Sequence, residues 1–187
     1  MRLVVGLGNP GPKYDSTRHN VGWWAVDHVV HTWKLGPFRS TGPALVVEGS
    51  VEDEEVIVLK PTTYMNRSGQ ALRPFLGREG FDVSRDLVVL VDDATRDAGQ
   101  SRLRGKGSSG GHNGLRSIEA ALGTRDFARL RLGVGRPPPG ADLVEWVLSP
   151  MGSEDEDKVL AVIREVPTVL RTWMREGLEP AMNEINR

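Results

Sequence analysis

The sequence contains no cysteine, which excludes disulfide staples and thiolate chemistry alike. It contains no apolar run near the roughly 20 residues needed to cross a bilayer. Gly6, Gly8 and Pro10 break the first ten residues, so no leader-like apolar segment forms there. A cytoplasmic protein with no membrane partner is the expectation. Net charge is nearly absent as well: 24 Lys and Arg face 25 Asp and Glu, for a formal charge of −1. No global field therefore selects a partner. Histidine is scarce, with His19, His28, His31 and His112 only, and no His-Glu-x-x-His pair is present. That spacing argues against a metal site.

What is present is unevenly distributed. Between Arg96 and Arg136 nine Lys or Arg stand against three Asp or Glu, whereas Ser153 to Arg187 holds eight acidic and five basic residues. A basic middle segment is either a phosphate-binding face or an ordinary solvated one. With 187 residues the chain suits a single domain, residues 1–187, able to bury about two thirds of its unfolded surface.

The hydrophobic pattern predicts a buried strand over Arg2–Leu7 and a helix over Val21–Trp33, with Val21, Trp24, Ala25, His28 and Val29 on one face and Asn20 as N-cap. Ala44–Val47 and Val56–Leu59 flank an acidic turn at Glu52–Glu55, a hairpin pattern that Pro61 ends. A short helix over Asn66–Leu76 is limited by Pro74. Leu87–Val91 reads as a central strand followed by a loop from Asp92 to Gly99. A basic strand lies near Ser101–Arg104, a helix at about Leu115–Leu122, a strand at Leu130–Val134 and a short helix around Leu143–Leu148. Ser153 and Glu156 form a capping-box pattern for a last helix that Pro167 should kink or break. The alternation of strands and helices, with one hairpin, predicts an α/β fold: a single domain with a twisted mixed β-sheet flanked by α-helices.

Several motifs offer chemistry. Gly6, Gly8 and Gly11 fit Gly-x-Gly-x-x-Gly, but a dinucleotide loop needs the helix to begin inside it, and here Pro10 intervenes and the helix starts near Asn20. Glycines that let Asn9 approach a ligand fit better. Gly107-Ser108-Ser109-Gly110-Gly111 matches a nucleophile elbow, yet a basic strand precedes it and His112 is the sole histidine after it. His28 reads as packed and His31 as surface. His19 follows the first strand at the edge where open α/β sheets place ligands. His112 is either a loop-packing or a functional residue. Asn9, Asn66 and Asn113 each suit a turn or cap, or together line a neutral polar site. Asp92 or Asp93 could orient His19 in the manner of a triad carboxylate, and strand parity does not choose between them.

Taken together, five blocks resemble the bacterial peptidyl-tRNA hydrolases: Gly6-Leu7-Gly8-Asn9-Pro10-Gly11; Thr17-Arg18-His19-Asn20-Val21-Gly22; Lys60-Pro61-Thr62-Thr63-Tyr64-Met65-Asn66-Arg67-Ser68-Gly69; Gly110-Gly111-His112-Asn113-Gly114-Leu115-Arg116-Ser117-Ile118; and Phe127 with Arg129 to Pro137. They fall in family order and span nearly the whole chain. The resemblance implies hydrolysis of the ester between a peptide and the 3′ ribose of tRNA, without metal or cofactor, by a monomer. It implies His19 as general base on water, Asp92 orienting its imidazole, and Asn113 positioning that water or the oxyanion, a role in which one donor is worth about 3 kcal/mol. Asn9 and Asn66 are implied to hold the peptide and the terminal adenosine, with Met65 beside them. Tyr14, Tyr64 and His112 are implied as further substrate contacts. Arg104 and Arg131 are implied to bind the tRNA 5′ phosphate, with Arg102, Lys106 and Arg116 extending that surface, and the tRNA acceptor stem and 3′ end are the implied partner. The alternative within the resemblance is a non-catalytic, splicing-factor-like RNA-binding member. Two departures stand out. The family's His-Asp-Glu/Asp-Leu-Asp-Leu-Pro is here Val91-Asp92-Asp93-Ala94-Thr95-Arg96-Asp97-Ala98, and Pro137-Pro138-Pro139-Gly140 lacks the lysine often found beyond the Arg131 strand.

Overall fold

The computed structural model describes residues 1–186. Seven strands form one sheet: β1 (Arg2–Gly6), β2 (Arg39–Thr41), β3 (Ala44–Val51), β4 (Glu54–Pro61), β5 (Leu87–Asp93), β6 (Ser101–Arg104) and β7 (Ala128–Gly133). Their order is β2-β3-β4-β1-β5-β7-β6. The inner four, β4, β1, β5 and β7, run parallel; the β2-β3-β4 meander on one side and β6, antiparallel to β7 and joined to it through α4, on the other add antiparallel edges. The helices are α1 (Val21–Trp33), α2 (Arg73–Leu76), α3 (Val83–Asp86), α4 (Asn113–Leu122), α5 (Leu143–Val147), α6 (Ser153–Glu176) and α7 (Leu178–Ile185).

The inner strands are largely apolar because both of their faces are covered, with charged residues confined to the ends of β1, β4 and β5 and to Arg129 and Arg131 of β7. Alternate residues serve opposite cores. Val4, Val58, Val88 and Leu90 meet Val26 and Val29 of α1 and Val162 and Val166 of α6. Leu3, Val5, Leu59, Val89 and Val91 meet Leu72 and the α4 residues Leu115 and Ile118. The parallel strands all end on one edge of the sheet, so the segments leaving β1, β4 and β5 gather there. Close approach fixes the height of α1: a Cβ on Gly6 would fall on the Gly22 carbonyl oxygen, and one on Gly22 would sit 2.5 Å from the Leu90 carbonyl oxygen.

The helix over Val21–Trp33 and the strand over Ser101–Arg104 stand as read from the pattern. Other boundaries shift, each for a physical reason. The hairpin is longer than its apolar residues suggest, because backbone pairing extends to Val51↔Glu54. Its turn is the two residues Glu52 and Asp53, both left-handed at φ 51° and 70°. A 3-10 segment over Met65–Leu72 precedes α2, and Pro74 sits in the first turn of α2 rather than limiting a helix. β5 continues through Asp92 and Asp93, which pair with Leu132 and Gly133. α4 begins at Asn113, and β7 lies about two residues before the stretch read from the sequence. Asn20 occupies the N-cap of α1 but makes no cap bond. Gly152, not Ser153, is the N-cap of α6, and the carboxylates Glu154, Asp155 and Glu156 face the helix dipole instead of closing a capping box. Pro167 does not break α6, which runs on to Glu176 with Val159, Val166, Leu170 and Trp173 buried along it. Packing holds together a helix that local propensity alone would interrupt. α7 was not read from the pattern.

Candidate active site

The turn after β1 is fastened first. The Asn9 N–H donates to Asn20 Oδ1 at 2.9 Å, and Asn20 Nδ2 donates to the Asn9 carbonyl at 3.0 Å. This reciprocal pair, almost fully buried, replaces the expected cap bond and ties the glycine turn to the residue after His19. The Asn9 side chain reaches across to β4's exit, where its Oδ1 accepts from Met65 N–H at 2.9 Å. Among the described residues its Nδ2 has no partner, and Asn9 lines the central cavity.

That cavity, about 360 Å³, lies at the carboxyl edge of the parallel strands. One wall carries His19, Asn9, Met65, Asn66, Asn113 and His112, and Tyr64 stands at the rim with 62% of its surface exposed. At the back, His19 Nδ1 lies 2.9 and 2.8 Å from the two carboxylate oxygens of Asp92, and His112 Nε2 lies 2.7 Å from Oδ1. Asp92, not Asp93, therefore partners His19. Asp93 turns to Thr95 N–H and Oγ1 at 2.9 and 2.6 Å and to Arg96 Nε at 3.1 Å. Among the described residues, His19 Nε2 has no partner. Burial opposes a charged imidazole at His19, and the adjoining Asp92 carboxylate outweighs that, so His19 titrates above its ordinary 6.5. Burial alone would raise the Asp92 carboxyl, but the two imidazoles hold it well below the usual carboxylate range.

The donor atoms of His19, Asp92 and His112 lie within 4.8 Å of one another, a convergence that no sequence spacing announced. Hydrogen bonding has already committed these atoms. His112 Nδ1 accepts from Gly114 and Leu115 N–H at the start of α4, so its Nε2 bears the proton given to Asp92. A metal would have to displace that proton and the one on His19 Nδ1. The set reads as a proton-holding chain rather than a ligand shell.

Another wall is apolar: Leu143, Val144, Val147 and Leu148, on or just after α5. No residue of α5 is itself buried. Arg18, next to His19 in sequence and 4% exposed, holds this wall. Its Nη1 donates to Ser149 Oγ at 2.7 Å and the Pro150 carbonyl at 2.9 Å, its Nε to the Val134 carbonyl at 3.1 Å, and its plane lies 3.4 Å from the Trp146 ring centre.

A model of the peptidyl-tRNA hydrolase family matches residues 3–187. A peptidyl-tRNA hydrolase of Halalkalibacterium halodurans is 44% identical over 186 residues, covering all of both chains. One from Gemmatimonas aurantiaca is 42% identical over 191 aligned positions, again covering both chains whole. The chain belongs to the peptidyl-tRNA hydrolase family. The crystal structure of peptidyl-tRNA hydrolase from Acinetobacter baumannii superposes with a TM-score of 0.92 at 32% identity, covering 100% of this chain and 94% of that one.

As a peptidyl-tRNA hydrolase, the chain hydrolyses peptidyl-tRNA. Of the residues expected at its site, His19, Asp92, Asn113, Asn9, Tyr64, Met65, Asn66, His112 and Arg131 line the one cavity. Tyr14 and Arg104 do not. Tyr14 is half-buried in a 3-10 turn, where its carbonyl accepts from Thr17 Oγ1 at 2.8 Å. Arg104 is exposed on the edge strand and pairs in register with Arg129, while Arg131 faces Arg102. The Arg131 guanidinium is partly committed: Nη2 donates to the Ser108 and Ser109 carbonyls at 3.0 and 2.9 Å, and Nη1 lies 4.0 Å from Asp93. Buried Arg129 likewise donates to the Gly107 carbonyl at 2.6 Å, so β7 straps down the glycine-rich loop before α4. Beside the cavity, a groove of about 460 Å³ shares Asn66 and Asn113 and adds Arg67, Arg73 and Arg116, with no carboxylate in its lining. Arg67 and Arg18 sit inside motif blocks, but Arg73 and the α5 wall carried no sequence signal of function.

Proposed function

We propose that His19 is the general base of the hydrolysis. Its Nδ1–H donates to Asp92, which fixes the tautomer with the lone pair on Nε2, on the cavity side. Nε2 takes a proton from water as the oxygen attacks the ester carbonyl carbon. The carbonyl π bond gives an oxyanion, and Asn113 Nδ2 either stabilises it or orients the attacking water. When the tetrahedral species collapses, the bond to the ribose 3′ oxygen breaks and the His19 imidazolium returns the proton to that oxygen. Free tRNA and a peptide carboxylic acid leave. The observation that carries this reading is the paired His19 Nδ1–Asp92 contact with Nε2 left over.

Around that step, Asn9 and Asn66 hold the peptide amides and terminal adenosine, with Met65 and Tyr64 against the flat faces. The acceptor stem and 3′ end approach across the side bearing Arg131, Arg104 and the Arg67–Arg73–Arg116 groove. Phosphate contacts there give affinity that is independent of sequence and sensitive to salt. The reading describes a cytoplasmic monomer. The test is cleavage of N-blocked aminoacyl-tRNA by the protein and by His19→Ala. The variant is expected to lose roughly 10²- to 10⁴-fold in kcat. Undiminished cleavage by His19→Ala would overturn the mechanism, and binding without cleavage by the parent would replace the enzyme with an RNA-binding module.

A further inference from the structure

His112 lines the cavity, yet the general-base reading leaves it without a task. Its geometry rules out one. Nδ1 accepts from Gly114 N–H at 3.1 Å and from Leu115 N–H at 3.3 Å, so the lone pair of this ring is spent on the first turn of α4. Nε2 is then the protonated nitrogen, and it donates to Asp92 Oδ1 at 2.7 Å. An imidazole in this state has no lone pair to offer water, so His112 is not a second base.

What remains is a clamp. Asp92 is 2% exposed and accepts from two imidazoles on different elements, His19 before α1 and His112 before α4. His19 Nδ1 straddles both carboxylate oxygens, which by itself leaves the carboxylate free to tilt. The second donor on Oδ1 fixes its plane. Other charged groups near the pair point elsewhere: Asp93 on β5 faces Thr95 and Arg96, Arg131 on β7 faces the loop carbonyls, and α5 contributes apolar side chains to the lining.

We propose that His112 is a positioning residue for the hydrolysis, holding Asp92 through Nε2–H and the Asn113 end of α4 through Nδ1. The proposal rests on His19 being the general base. Two consequences follow for His19. Its imidazole is kept in the plane that aims Nε2 at the water. The negative charge it feels is also shared with a second N–H, so its proton is held less tightly than a lone carboxylate would hold it.

The two contacts separate by side-chain length. In His112→Asn the amide oxygen can still cap α4, as asparagine does well, but its nitrogen falls short of Asp92. In His112→Gln the longer amide reaches Asp92 and the cap acceptor is lost. Steady-state kinetics on N-blocked aminoacyl-tRNA across pH, together with thermal melts, read both. His112→Asn is expected to melt like the parent and lose roughly 10- to 100-fold in kcat with KM unchanged, the scale usual for partners that orient a reacting group. Its acid limb in kcat/KM should move to higher pH, so that part of the loss returns in alkaline buffer. His112→Gln should keep the parent's acid limb and melt lower. The proposal is overturned if His112→Asn matches the parent, or if it loses activity through KM with the limb unmoved. Should His112→Asn fail to fold, a shifted limb in His112→Gln overturns it instead. A parent without any acid limb would count against His19 as base, and so against the reading beneath.

Discussion

The two walls of the cavity are held by different means. On the polar wall four groups are fixed by named partners: Asn9 by Met65 and Asn20, His19 by Asp92, Asp92 by His112, His112 by the backbone of α4. The apolar wall is a five-residue helix with no buried residue, carrying Leu143 and Val144 at 54% and 60% exposure, and it is tethered mainly through Arg18. Bond making needs sub-ångström placement, so its side of the cavity is over-determined. Under the proposed function, a surface that meets many peptide side chains needs contact without fixed geometry, which a lightly anchored aliphatic wall would supply.

If this contrast is right, small changes on the polar wall cost more than large ones on the other. The steepest case is Asp92→Asn, which keeps shape but allows the wrong His19 tautomer. Cleavage is expected to fall roughly 10³- to 10⁴-fold in kcat with the fold intact by circular dichroism. A loss under tenfold would put the orienting role elsewhere. Arg18→Met comes next and acts on stability. Burial already holds the guanidinium below its ordinary range, with Asp155 offsetting part of this. Its removal strands several carbonyls, at about 1–3 kcal/mol in denaturant melts. Amide exchange should quicken in 143–150 before it does in α4; uniform quickening would deny that Arg18 serves the apolar wall. The pH profile is a smaller, finer probe. As the proposed base, His19 must be neutral to act, and since its pKa lies above 6.5, kcat/KM should decline as pH falls through a value above that figure. A midpoint below it would remove the Asp92 effect. Leu143→Ser and Val144→Ser are the mildest. Unfolding free energy should stay within about 0.5 kcal/mol of the parent, with KM rising more for bulky apolar peptides than for glycyl ones. An equal rise for both would show that the wall reads the nucleotide, not the peptide.

The same contrast explains what was legible in the sequence. The layered α/β fold and the central strands follow from apolar periodicity, and the site's corner follows from glycine turns at strand ends. His19, Asp92 and the asparagines stand in recognisable blocks. The links among them do not. Strand parity does not choose between Asp92 and Asp93; the contact of His19 with Asp92, while Asp93 turns to Thr95 and Arg96, does. Asn20 has the residue type of a cap and spends its amide on Asn9. His112 looks like a loop residue because its partner is 20 positions away. Arg18, read as part of a motif, gave no hint that its guanidinium serves a helix some 130 positions on. Long-range hydrogen bonds of this kind have no period and no local signature.

The hairpin turn far from the cavity offers a practical use. Glu52 and Asp53 both occupy left-handed backbone without being glycine, at φ 51° and 70°. Left-handed geometry costs an ordinary side chain roughly 1 kcal/mol per residue. Placing Asn-Gly at these two positions removes most of that strain in a turn that favours such a pair. It gives a stability reserve uncoupled from the chemistry, a background in which poorly folding variants of the cavity can be produced and their kinetics measured at full occupancy of the native state.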